Sequence, residues 1–249
     1  MLKRFSVENF KGFQDKITFD IGLPCNYSFN SEIIENGCVT KGIIYGINSS
    51  GKSNLGLAIF DIITHLTDKQ KLLSSYEFYL NMSGRKSFAE FEYDFLFGEH
   101  EVVYRYSKND VNTLKSESLL IDGKEVIFFD FFTRDGFTLL EGSDTLNASI
   151  KSESPISRVK YVNSNSILVD NEQNQVFKKF IDFVDRMLLF YSLDSRGYEG
   201  FMNGSESIAE GIVNSGKVQE FQDFLKENDI DYELYGCEVD GRKALYCHF

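Results

Sequence analysis

The chain has no tryptophan, only two prolines and three histidines, and just four cysteines in 249 residues. Two prolines exclude a Pro-rich linker. No apolar stretch is long enough to span a bilayer. At the N-terminus Lys3 and Arg4 are followed by Glu8, Asn9 and Lys11, which break up any apolar leader. Cys25, Cys38, Cys237 and Cys247 form no C-x-x-C pair, and Cys247-His248 lacks two further ligands at zinc spacing. They read as reduced thiols of a soluble, cytoplasmic protein. Cations are also short, 26 Lys+Arg against 38 Asp+Glu, so the net charge is −12. That balance excludes a broad nucleic-acid face on this segment, although not a small local patch. There is no internal repeat and no heptad run of coiled-coil length.

What is present points to a folded α/β chain. Hydrophobic residues at 42% and charged residues at 26% are ordinary globular values, sufficient for one large domain or two small ones. The feature that organises the rest is GIIYGINSSGKSNLGLAIFDIITHL, residues 42–66. Within it Gly46-Ile47-Asn48-Ser49-Ser50-Gly51-Lys52-Ser53 fits the phosphate-loop pattern G-x-x-x-x-G-K-[ST]. Glycines let consecutive backbone N–H groups turn inward on phosphate oxygens. Lys52, the candidate catalytic residue, would put a positive charge on the β- and γ-phosphates, and the Ser53 hydroxyl would hold Mg²⁺. The pattern needs a strand before it and a helix after it. Ile43, Ile44 and Tyr45 predict a short buried parallel strand. Leu55, Ala58, Ile59, Ile62, Ile63 and Leu66 predict a helix with one apolar stripe.

Elsewhere the period is two. Phe5 and Val7, then Ile17, Phe19 and Ile21, alternate with polar residues and predict an antiparallel pair joined by residues 11–15. Phe91, Tyr93, Phe95 and Phe97, then Val102, Tyr104 and Tyr106, predict a meander over residues 87–141 with one solvated face. Its turns are expected at Gly98-Glu99-His100, Asp122-Gly123 and Asp135-Gly136. The aromatics read as core, because acidic residues interleave them where a base-stacking platform would carry Lys and Arg. Residues 142–175 are Ser/Asn/Asp-rich. Val176 to Val184 and Val218 to Leu225 predict helices, and Tyr232 to Phe249 a final hairpin around Asp240-Gly241.

FSVENFKGF, the strand ITFDI and then GINSSGKSNLGLAI together resemble the start of ABC-type ATPase heads, the group that includes SMC-like, RecF-like and OLD-family proteins. Asn48 and Ser53-Asn54-Leu55 match that form of the phosphate loop. The resemblance implies an α/β P-loop NTPase with a mixed core sheet, an antiparallel β-lobe and a mostly helical C-terminal part. It divides the chain into a P-loop core (1–66), the lobe (67–150) and a helical segment (151–249). It places ATP and Mg²⁺ on Gly46, Asn48, Ser49, Ser50, Gly51, Lys52, Ser53 and Asn54, with Lys11 near the phosphates or base. Phe13 is a weaker candidate for base contact and reads better as a core aromatic. The group further implies a second ATPase head, so a homo-oligomer, and a partner effector such as a nuclease or toxin in bacterial anti-phage defence.

Such a head also needs a Ser-Gly-Gly-like signature, an apolar strand ending in Asp-Glu, and a switch His, and none of these is found. Asp130, Asp170 and Asp194 each end an apolar run, but none is followed by Glu. Gly211 to Lys217 imitates a second phosphate loop, yet it ends in Val218, which cannot hold Mg²⁺. Asp194-Ser-Arg-Gly197 with Ser107-Lys108-Asn109-Asp110 imitates a GTPase in the wrong order. Arg134, Arg158, Arg186 and Arg196 are too scattered for a kinase lid. Three expectations stay open. The protein continues past Phe249, another chain supplies the missing half, or the chain is a non-catalytic nucleotide-binding scaffold.

Overall fold

Alternating apolar residues between Leu2 and Thr138 build one large sheet. The computed structural model describes residues 1–22, 31–69, 73–143, 146, 156–190, 198–200, 208–239 and 241–248. Strand β1 (Leu2–Glu8) pairs antiparallel with β2 (Ile17–Asp20). A small hairpin follows, β3 (Ile34–Glu35) with β4 (Cys38–Val39). Helix α1 (Lys52–Phe60) runs through a turn at Asp61-Ile62 into the single turn α2 (Ile63–Leu66). The meander is β5 (Ala89–Phe97), β6 (His100–Lys108), β7 (Leu114–Ile121), β8 (Lys124–Asp130) and β9 (Asp135–Thr138). These five strands continue the first pair in a seven-stranded sheet ordered β2-β1-β5-β6-β7-β8-β9, antiparallel at every step.

The turns follow from residue type. Asp122 and Gly123 both take positive φ (50° and 75°), as a two-residue I′ turn requires, and Gly98 does the same at φ 69° between β5 and β6. One expected turn moves. Asp135-Gly136 lies inside β9, and the chain instead reverses over Phe131–Arg134, where Asp130 Oδ1 accepts the amides of Phe132 and Thr133 at 2.8 Å. An Asp side chain capping a turn competes well with an Asp-Gly signal a few residues on.

Helix α3 (Arg158–Asn165) arises in the Ser/Asn/Asp-rich stretch where no helix is expected, and its N-cap Ser157 accepts from the Lys160 amide. Helix α4 (Glu172–Asp185) follows the expected stripe, with Val176, Phe177, Phe180, Ile181 and Val184 buried. Phe180 meets Phe95 and Tyr104 ring to ring on the apolar face of the sheet. Beyond it, β10 (Leu188–Phe190) pairs with β11 (Tyr198–Gly200). The chain divides into two compact units, Met1–Phe201 and Met202–Phe249. The second holds α5 (Ile208–Asn214), α6 (Val218–Glu227) and the expected hairpin, β12 (Glu233–Val239) with β13 (Arg242–His248).

Two expectations are corrected. The strand over Ile43–Tyr45 is not formed: the segment joins no sheet, and Ile43, Ile44, Tyr45 and Ile47 are 91%, 51%, 91% and 83% exposed. A parallel strand needs a parallel neighbour, and every neighbour in the large sheet is antiparallel. For the same reason that sheet is not mixed. The described residues thus give an α/β chain dominated by one antiparallel sheet. No helix among them is long and apolar enough to cross a membrane.

Candidate functional site

The site begins where the exposed segment turns into α1. Ser50 N–H donates to the Ile47 carbonyl at 3.3 Å, closing a turn, and Ser49 and Gly51 take positive φ of 64° and 95°. Residues of alternating handedness turn successive amides to one side, which makes an anion-binding nest. Among the described residues the amides of Asn48, Ser49, Gly51, Lys52 and Ser53 find no acceptor. The helix dipole adds positive potential at this end of α1. Lys52 folds under the loop, and its Nζ donates to the carbonyls of Gly46 and Ile47, each at 2.8 Å. It makes no ion pair among the described residues. Free amides, a helix start, a cation and the Ser53 hydroxyl form a donor set suited to a triphosphate and its Mg²⁺.

The N-terminal turn packs on this loop. Phe10 and Phe13 exchange backbone hydrogen bonds (3.0 and 2.8 Å), which fold residues 10–13 tightly. A Cβ built at Gly12 would lie 3.0 Å from Asn54 Nδ2, and one at Gly51 would lie 3.1 Å from the Phe13 ring. Position 51 therefore requires glycine twice over, for its φ and for its space. Sequence treats Phe13 as a core aromatic. It does pack against the core, but it also forms the wall behind Gly51. Lys11 is on the same turn at φ 46°, and its ammonium is engaged by the Glu77 carbonyl at 2.7 Å. Partial burial holds that ammonium below the usual lysine range.

The decoy carboxylates are otherwise employed. Asp130 caps its turn, Asp170 accepts from Gln175 Nε2 at 3.0 Å, and Asp194 lies outside the described residues. Gly211 sits inside α5, so residues 211–217 make a helix and its exit rather than a phosphate loop. Ser107-Lys108 lies buried at the end of β6, so a guanine-reading role there is unsupported, and Asp194–Gly197 is again outside the described residues. Among the described residues no group of three or more His, Cys, Asp or Glu could hold a metal. A cavity opens on the polar face of the sheet, lined by Ser6, Lys16, Glu92, Arg105 and Ser118 among others, and no residue of the loop lines it. Its charges are mutually paired, Arg105 Nε to Glu92 at 2.7 Å for example.

Behind the loop lies a polar core that the sequence reading misses. Asp61, at the end of α1, and Lys108, at the end of β6, are both fully buried and 2.9 Å apart. Tyr79 and Tyr106 hydroxyls also donate to Asp61, each at 2.9 Å. Beside this group Glu117, on β7, accepts four hydrogen bonds. They come from Tyr104 Oη (3.0 Å), Ser157 Oγ (2.7 Å), Val159 N (3.3 Å) and Arg158 N. Burial outweighs these donors and pushes the Glu117 carboxyl up to about 7. His65 Nε2, on α2, lies 2.9 Å from the same Tyr104 hydroxyl.

No family model matches the chain, and no curated protein is significantly similar to it. The functional reading therefore stands on the geometry of the loop.

Proposed function

We propose that the chain is an ATP-binding subunit of ABC-type, OLD-like character, holding Mg·ATP on residues 46–54. The observation that supports it best is the Lys52 ammonium tied to the Gly46 and Ile47 carbonyls beneath a run of free amides. In this reading the amides of Asn48, Ser49, Gly51 and Lys52 bind phosphate oxygens, Lys52 neutralises the β- and γ-phosphates, and Ser53 holds Mg²⁺. Bound Mg²⁺ would supply charge neutralisation on the phosphates being separated. Gly12, Phe13 and Asn54 shape the wall, and Lys11 is within the turn that could present a second cation. Hydrolysis requires a second head to complete the site, and turnover would gate a partner effector such as a nuclease or toxin in anti-phage defence.

A second reading is a nucleotide-binding scaffold without turnover. It is favoured by the fact that Asp130 and Asp170, the two described carboxylates at apolar run ends, are engaged in local hydrogen bonds. Parallel titration of Mg·ATP binding and phosphate release separates the two. Lys52→Ala is expected to weaken Mg·ATP binding at least a hundredfold while leaving the melting temperature unchanged, since Lys52 touches only the exposed loop. Wild-type affinity in that variant would remove both readings. Binding without phosphate release, at high protein concentration, selects the scaffold.

A further inference from the structure

Helix α1 is poorly anchored by apolar contact. Ala58 is its only fully buried residue, and Leu55, Leu57, Ile59 and Phe60 are half-buried. Such a short helix gains little from propensity and depends on packing to stay formed. Its rear end, by contrast, is held by directional bonds from three places. Tyr79 precedes the meander and donates to Asp61 Oδ1, while Tyr106 and Lys108, both on β6, donate to Asp61 Oδ2. Tyr93, on β5, donates to the Ala58 carbonyl in the last turn of α1 at 2.8 Å. Lys108 also reaches Thr64 Oγ1 at 2.6 Å and the Val111 carbonyl at 3.2 Å, and so ties α2 into the same knot.

A buried ion pair is a poor source of stability, because apolar residues of similar volume hold a core as well or better. What it does supply is direction. Apolar packing tolerates a helix that slides or rotates by a fraction of a turn, but four short hydrogen bonds onto one carboxylate and one carbonyl do not.

We propose that Asp61 and Lys108 are positioning residues for the phosphate loop. They set the axial position and rotation of α1 on the sheet, and thereby where Lys52 and Ser53 stand at its other end. The inference rests on the phosphate-site reading for its consequence, but the clamp on α1 can be measured without nucleotide.

The test replaces the knot by apolar residues of like volume (Asp61→Leu, Tyr79→Phe, Tyr106→Phe and Lys108→Met together). A milder variant, Asp61→Asn with Lys108→Met, removes both charges and keeps an acceptor for the tyrosines. Three quantities are read: melting temperature, amide exchange of residues 56–60 relative to those of α4, and Mg·ATP affinity. The expected result is a folded protein with near wild-type melting, at least tenfold faster exchange in α1 but not in α4, and at least tenfold weaker Mg·ATP binding. A folded variant with wild-type exchange in α1 and wild-type affinity overturns the proposal. Should the fourfold variant fail to fold, α1 exchange in the milder one decides. Should wild-type protein fail to bind Mg·ATP, the phosphate reading falls, and α1 exchange alone judges the clamp.

Discussion

Replacing Lys108 alone with methionine is expected to lower the unfolding free energy by about 3–5 kcal/mol. The change keeps the approximate volume of the side chain and removes its charge, together with its donations to Thr64 and the Val111 carbonyl. Asp61 would then stand as a carboxylate with no exposure and no counter-charge, supported by two tyrosine hydroxyls. Hydroxyls cannot replace the ammonium, because the cost of an unpaired buried charge greatly exceeds one neutral hydrogen bond. Denaturant unfolding measures the loss. Adding Asp61→Asn should recover most of it, since the stranded charge is gone. A loss under about 1 kcal/mol in the single variant would mean that the pair is not sealed from water, at odds with its complete burial.

The second large effect is a pH dependence. Glu117 has its folded-state carboxyl raised from the ordinary 4.5 to about 7. The folded state therefore binds this proton more tightly than the unfolded chain between those values. By linkage, stability then falls as pH rises from 4.5 to 7 and is level above. The full change is about 3 kcal/mol. The groups facing Glu117 are Tyr104 on β6, Ser157 and Arg158 at the start of α3, and, through Tyr104, His65 on α2. Burial shifts the Asp94 and Asp185 carboxyls up as well, and they add to the fall. Glu92, Asp122 and Asp130 are shifted down and add slope of the opposite sign at lower pH. The difference between wild type and Glu117→Gln isolates the one group. Glutamine can keep the α3 amides on its oxygen and donate to the two hydroxyls. The variant should lose the fall in stability between pH 4.5 and 7, and parallel pH curves for both proteins would refute the assignment.

Much of this fold could be read from residue order. The meander was legible because Phe91, Tyr93 and Phe95 alternate with Glu90, Glu92 and Asp94, and the turns carry Gly98 and Asp122-Gly123. The turn into α1 was legible at Gly51, whose positive φ and closeness to the Phe13 ring favour glycine. The polar knot was not read, although the signal was present. Lys108 continues the parity of Val102, Tyr104 and Tyr106, and Glu117 that of Leu119 and Ile121, so each charge falls on the apolar face. Asp61 interrupts an otherwise apolar helix stripe in the same way. A charge on the wrong parity announces a buried partner, but the partner lies some 45 residues away, and one sequence does not reveal it. The strand expected at Ile43–Tyr45 failed for a related reason. Apolar composition shows that a segment can be buried, whereas pairing depends on what lies beside it.

The order of the strands carries a consequence for how the chain acquires its shape. Strands β5 to β8 are sequence neighbours, two of their three links being two-residue turns, so they can zip together with little loop-closure cost. Strand β1 leaves the ribosome first yet has no β5 to join until residue 89 has been made. The loop of residues 46–53 lies in that long bridging stretch between β2 and β5. Pulse-labelled amides of β6 should accordingly gain protection ahead of those in β1, and simultaneous protection would contradict this sequence of events.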